Sequence, residues 1–128
     1  MPLVIQIQTG NSPLTAQTAT VKLAGSLDTA TAPQLETQLA TLLAGPVKEL
    51  VFDLAQLTFI SSAGLRVIAG ARKRLRERDG LASFIHLQPQ IQEVFDIIAS
   101  LPGIAIFKDA NELDQYLAAR QRAHQQGT

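Results

Sequence analysis

The segment Thr58-Phe59-Ile60-Ser61-Ser62-Ala63-Gly64-Leu65-Arg66 holds the residues best suited to chemistry in this chain of 128 residues. Two adjacent hydroxyls stand where an apolar strand gives way to an apolar-striped helix. A serine at a helix N-cap accepts an orphan backbone N–H, and one serine is enough for that task. The same N–H groups, with the helix dipole, accommodate a phosphate. A serine here reads first as a plain cap, with a phosphorylation switch as the alternative. Small Ala63 and Gly64 leave the corner open to another protein.

Other chemistries find less support. The histidines are His86, in a predicted strand, and His124, in a polar tail. Nucleophilic serine chemistry needs a base within reach and a group to orient it. No Gly-x-Ser-x-Gly elbow is present, and neither glycine-rich phosphate loop occurs. Asp28 follows one strand and Asp53 nearly ends another, and carboxylates at the ends of parallel strands can share a crevice. A receiver domain would want neighbouring acids after the first strand, but residues 8–13 hold none, and Lys108 is poorly placed. The simpler reading of both aspartates is that they hold turns through local backbone bonds. Arg66, Arg72, Lys73, Arg74, Arg76 and Arg78 place six of the 11 basic residues on one helix. Most of them read as a solvated face, while Arg66 and Arg72 are equally candidates for a partner surface.

The elements that position these residues follow from periodicity. Ile5 and Ile7 alternate with Gln6 and Gln8, a strand pattern over residues 3–9. Ala19, Val21 and Leu23 make a second strand over 18–24, ended by Gly25-Ser26-Leu27-Asp28. Pro33 suits the first turn of a helix, whose stripe is Leu35, Leu39, Leu42 and Leu43. Leu50-Val51-Phe52 with Leu54 reads as a strand covered on both faces. A helix is predicted from Gly64 to about Arg78, a strand over 82–87, a third helix opened by Pro89, a last strand over 104–107 and a final helix capped by Asn111. Polar sequence from Arg120 onward predicts fraying. The order β-β-α-β-α-β-α-β-α makes an α/β fold with a mixed, mostly parallel sheet of about five strands and about four helices.

Composition bounds the function. Length fits one domain over residues 1–128, with an ordered core over about 3–119 and a polar C-terminal tail. Hydrophobic residues at 46% supply a core. The 11 basic and 11 acidic residues balance to zero, unlike the basic footprint of a nucleic-acid binder. The absence of cysteine excludes disulfides, a thiol nucleophile and sulfur-ligated zinc. The N-terminus lacks signal-peptide character and no run approaches the ~20 apolar residues of a membrane span, so a cytoplasmic protein is expected.

Three stretches together resemble the STAS family, the bacterial anti-sigma factor antagonists and their relatives. They are Leu23-Ala24-Gly25-Ser26-Leu27-Asp28; Leu50-Val51-Phe52-Asp53-Leu54 followed by Leu57 to Leu65; and Pro89 to Ile98 before a Leu-Pro-Gly turn. The family motif reads Asp-Ser-Ser/Ala-Gly-Leu, with the phosphorylated serine directly after the aspartate. The resemblance places that serine at Ser62, with Ser61 at the aspartate position and as the second candidate. Ser61 removes a negative charge beside the phosphate, which bears on kinase choice. Asp28 matches the family's acidic position, and the implied partner-binding edge comprises Asp28, Ser61, Ser62, Ala63, Gly64 and Arg66. The resemblance implies a non-enzymatic antagonist without a cofactor. Unphosphorylated, it would bind an anti-sigma factor serine kinase of the GHKL type and free a sigma factor. Phosphorylation would release it, and a metal-dependent phosphatase would reset it. A non-switching STAS scaffold in a signalling or transport complex is the alternative. A switch requires Ser62 at the N-terminal end of its helix with an accessible hydroxyl.

Overall fold

Strict alternation pairs β1 (Leu3–Thr9) with β2 (Thr18–Leu27), antiparallel, from Leu3 opposite Gly25 to Thr9 opposite Ala19. The computed structural model describes residues 2–9, 17–100, 115, 117–119, 121 and 122. β3 (Glu49–Ile60) lies parallel to β2, and β4 (Leu81–Ile85) parallel to β3, giving the sheet order β1-β2-β3-β4. The connecting helices are α1 (Ala32–Leu43), α2 (Ser62–Arg76) and α3 (Pro89–Ser100). Residues 115, 117–119, 121 and 122 are helical and are called α4. This is the mixed, mostly parallel α/β arrangement expected, with four strands among the described residues. The strand expected over 104–107 lies outside them.

The core forms between the sheet and its helices. Leu23, Leu27, Leu50, Phe52, Leu54, Leu57 and Ile60 of the sheet meet Leu35, Leu39, Leu43, Ile68, Ala71, Leu75, Ile91 and Val94. Phe84 stacks on Phe52 with centroids 5.3 Å apart and meets Phe95 edge-on at 5.2 Å, favoured aromatic geometries. Leu42 and Val51 are half-buried; Leu43 takes the inward position on α1. Arg78 is no solvated cation. Its guanidinium donates to the carbonyls of Leu43 at 2.6 Å, Gly45 at 3.0 Å and Val47 at 3.1 Å, gathering the acceptors left over where α1 ends. Among the described residues no helix is long and apolar enough to cross a membrane.

β2 and β3 run further than their sequence pattern suggests. The register between them shifts at Lys22/Ala24 and again at Gly25/Ser26. Each shift inserts one residue into β3, so its inward side chains fall at Leu50, Phe52 and Leu54, then at Leu57 and Ile60. A period of two cannot follow that spacing. Gly25 sits at the irregularity with φ +100°, and a Cβ there would lie 2.1 Å from the Pro2 carbonyl oxygen. Only glycine fits both constraints.

β4 pairs β3 only from Glu49 to Asp53. Beyond that point side-chain amides serve the β3 backbone. Gln88 donates to the Ala55 carbonyl at 2.8 Å and Gln90 to the Thr58 carbonyl at 3.4 Å. Gln121 of α4 accepts from the Ile60 N–H at 2.9 Å and donates to the Ile60 carbonyl at 2.8 Å. It is 1% exposed, so the fraying expected from Arg120 onward does not hold at this residue.

Candidate functional site

The end of β3 delivers the chain into α2 through one corner. The Ser61 N–H donates to the Leu27 carbonyl at 2.9 Å, tying the corner to the end of β2. Ser61 then leaves the strand as the N-cap, extended at φ −104° and ψ 174°. Its hydroxyl oxygen accepts from the Gly64 N–H at 3.4 Å, and its carbonyl accepts from the Leu65 N–H at 2.9 Å. Capping by Ser61 starts α2 at Ser62, two residues before the expected Gly64.

Ser62 is thus the first residue of α2, at the N-terminal end where a switch serine is expected. Its exposure differs from the expectation. Ser62 is 4% exposed and its Oγ is buried. Ser61 is 5% exposed. The cause lies in how closely the first turn of α2 packs on β2. A Cβ on Gly64 would lie 2.6 Å from Leu27 Cγ and 2.9 Å from its Cδ2. Gly64 therefore lets the turn seat on Leu27, and its missing side chain does not leave the corner open. Ala63 and Arg66 do face outward: with Thr29, Ala32, Pro33, Glu36 and Val67 they line a groove of about 300 Å³ between α1 and α2.

Asp28 follows Leu27 directly. Its Oδ1 accepts from the Ala30 and Thr31 N–H groups, both at 3.0 Å, and the Asp28 N–H donates to Thr31 Oγ1 at 2.9 Å. Asp28 therefore fixes the loop that enters α1, the local-turn reading. It stands one residue from the Leu27 backbone that anchors Ser61, so the structure brings Asp28 together with the serine corner.

Asp53 does not end its strand. It lies mid-way along β3, opposite Lys22 and Ile85. Partial burial raises its pKa, but the Ala55 N–H at 3.1 Å, His86 Nδ1 at 3.1 Å and the charge of Lys22 outweigh this and hold it below the ordinary carboxylate range. His86 itself adopts φ 60°, just past β4. This pair fastens the β4–α3 loop to the first irregularity of β3 and makes no shared crevice with Asp28. Among the described residues no cluster of His, Asp and Glu could hold a metal ion.

Sequence reasoning missed the glutamines. Gln88, Gln90 and Gln121 carry no pattern that separates them from solvated polar residues; only the stretch of β3 that β4 leaves without a partner gives them their role.

The family model for the STAS domain matches residues 10–113 of this sequence. The chain belongs to the STAS family. BtrV of Bordetella bronchiseptica, which carries the name of an anti-sigma factor antagonist, is 39% identical over 101 residues, covering 79% of this chain and 84% of BtrV. The anti-sigma factor antagonist SpoIIAA in its unphosphorylated form superposes with a TM-score of 0.62 at 21% identity, over 73% of this chain and 83% of that one. SpoIIAA of Bacillus in its phosphorylated form gives 0.61 at 22% identity, over 73% and 82%. These two likenesses establish the fold, which this STAS chain shares.

Proposed function

We propose that this chain is an anti-sigma factor antagonist switched by phosphorylation of Ser62. Unphosphorylated, it binds an anti-sigma factor serine kinase of the GHKL type through Asp28, the Ser61–Gly64 turn and Arg66, and so frees a sigma factor. A metal-dependent phosphatase restores that form. The chain acts by binding, in the cytoplasm, and brings no cofactor; ATP belongs to the kinase. The observation that carries this reading is the position of Ser62 at the first residue of α2, with the capping role already filled by Ser61. The name of the relative BtrV supports the same class of function.

The burial of Ser62 adds a requirement. Its hydroxyl reaches a kinase only if the first turn of α2 opens or the side chain rotates outward. Once transferred, the phosphate meets the N–H groups of that turn, which favour negative charge. At an interface the same charge must be desolvated, which weakens binding. Burial of Ser62, with Ser61 in place of the family's aspartate, also favours a second reading: a STAS module that scaffolds a signalling or transport complex without switching. Incubation with the cognate kinase and ATP, read by intact-mass spectrometry, separates the two. One added phosphate, lost in Ser62→Ala, supports the switch. An unmodified chain that still binds the kinase supports the scaffold.

A further inference from the structure

A second groove lies on the other flank of α2, between α2 and α3 and above β4. It encloses about 570 Å³ and is lined by Leu65, Ile68, Ala69, Arg72, Lys73 and Arg76 of α2, Phe84 of β4, and Phe95 and Asp96 of α3. This volume lies within the range of small-molecule sites. Its lining is ordered along the helix axis. Leu65, Ile68 and Ala69 occupy the N-terminal half of the α2 stripe, and Arg72 and Arg76 continue it toward the C-terminus. The stripe runs about 16 Å at 1.5 Å per residue. Along α2 the lining is therefore apolar toward the N-terminus and cationic toward the C-terminus, with Phe84, Phe95 and Asp96 supplying the facing walls.

Charge and hydrogen bonding select the occupant. Arg72, Lys73 and Arg76 are exposed, and none forms an ion pair or a side-chain hydrogen bond among the described residues. Among the described residues Asp96 is the one acid in the lining, and it accepts from Gln92 at 2.9 Å. The net lining charge is positive. Among the described residues, apart from these four charged groups, the walls offer no side-chain donor or acceptor. A nucleotide base or a sugar would leave its polar edges unanswered. Phe84 is already packed against both Phe52 and Phe95. The fitting ligand has an unbranched apolar body and a single anionic head.

We infer that the α2–α3 groove binds a free long-chain carboxylate, its acyl chain along Leu65, Ile68, Phe84 and Phe95 and its carboxylate at Arg72 and Arg76. The site is distinct from the α1–α2 flank that carries Ala63 and Arg66, and the inference does not depend on the switch. The test is calorimetric titration of the full chain with dodecanoate below its micelle concentration, with dodecyltrimethylammonium and hexanoate as controls. Saturable one-to-one binding is expected, with a dissociation constant below about 1 mM and at least tenfold weaker binding of either control. Arg72→Glu combined with Arg76→Glu should weaken dodecanoate at least tenfold, and so should Ala69→Glu, which sets a carboxylate in the groove from an exposed position. All three sites are exposed, so each variant should keep the circular dichroism of the parent and unfold in one cooperative transition, with the arginine pair lowering the urea midpoint slightly because Arg76 lies in the last turn of α2. Equal binding of the cationic amphiphile, full affinity in both variants, no saturable binding, or association with anionic phosphatidylglycerol vesicles but not with dissolved dodecanoate would each overturn the inference.

Discussion

Gln121 offers the sharpest test of how α4 is held to the sheet. Its amide satisfies both backbone groups of Ile60 and also donates to the Leu117 carbonyl at 3.1 Å. Ile60 is fully buried and immediately precedes the N-cap serine. Gln121→Ala leaves a buried N–H and a buried C=O without partners, at about 1–3 kcal/mol each. A loss of about 2–5 kcal/mol in urea unfolding is expected, with faster amide exchange at Ser61 and Ser62. Gln121→Glu separates hydrogen bonding from packing. The carboxylate can still accept from the Ile60 N–H when ionised, but it cannot donate to the Ile60 carbonyl, and burial penalises its charge. Its folded pKa should therefore lie above the unfolded value of ~4.3. The protonated acid restores a donor, so the deficit of this variant should be smallest below the unfolded pKa and grow as pH rises through the folded one. A loss under about 0.5 kcal/mol for Gln121→Ala, or a pH-independent deficit for Gln121→Glu, would show that the Gln121 amide does not hold the Ile60 backbone.

Three further outcomes follow from the same contacts. Asp53→Asn should destabilise by about 0.5–1.5 kcal/mol at neutral pH; because the folded Asp53 pKa is lowered, that stability is present above the unfolded pKa of ~3.9 and is lost as pH falls through the folded value, so parent and variant should converge in acid. Gly64→Ala should cost about 1–3 kcal/mol by overpacking against Leu27, read from the urea midpoint, and a neutral result would show that the first turn of α2 is not seated there. Leu39→Ala, at a residue 2% exposed on α1, should cost about 2–5 kcal/mol in the same assay, whereas a loss below ~1 kcal/mol would place the wrong face of α1 inward.

Much of this fold was legible where one periodicity holds. β1 alternates without interruption and matches the reading from Leu3 to Thr9; α1 and α3 follow from Pro33 and Pro89 and their apolar stripes. β3 was legible only to Leu54, because two insertions break the alternation that identifies a strand, and Asp53 was in consequence set near a strand end instead of mid-strand. The serine corner was legible in position but not in exposure. Ser-Ser before a helical stripe identifies a cap, yet the packing of Leu27 into the space beside Gly64 is a long-range contact that no local pattern encodes. Gln121 was unreadable for the same reason: a glutamine in a polar segment becomes structural only when a strand ends beside it.

Phosphate mapping coupled to a binding titration decides whether Ser62 carries the switch. The chain is incubated with its cognate kinase and ATP, the modified residue is located by fragmentation mass spectrometry, and kinase affinity is measured before and after. One phosphate on Ser62 is expected, retained in Ser61→Ala and absent in Ser62→Ala, with at least tenfold weaker kinase binding by the phosphorylated form and an unchanged fold. Phosphate on Ser61 instead, or equal affinity with and without phosphate, would contradict it.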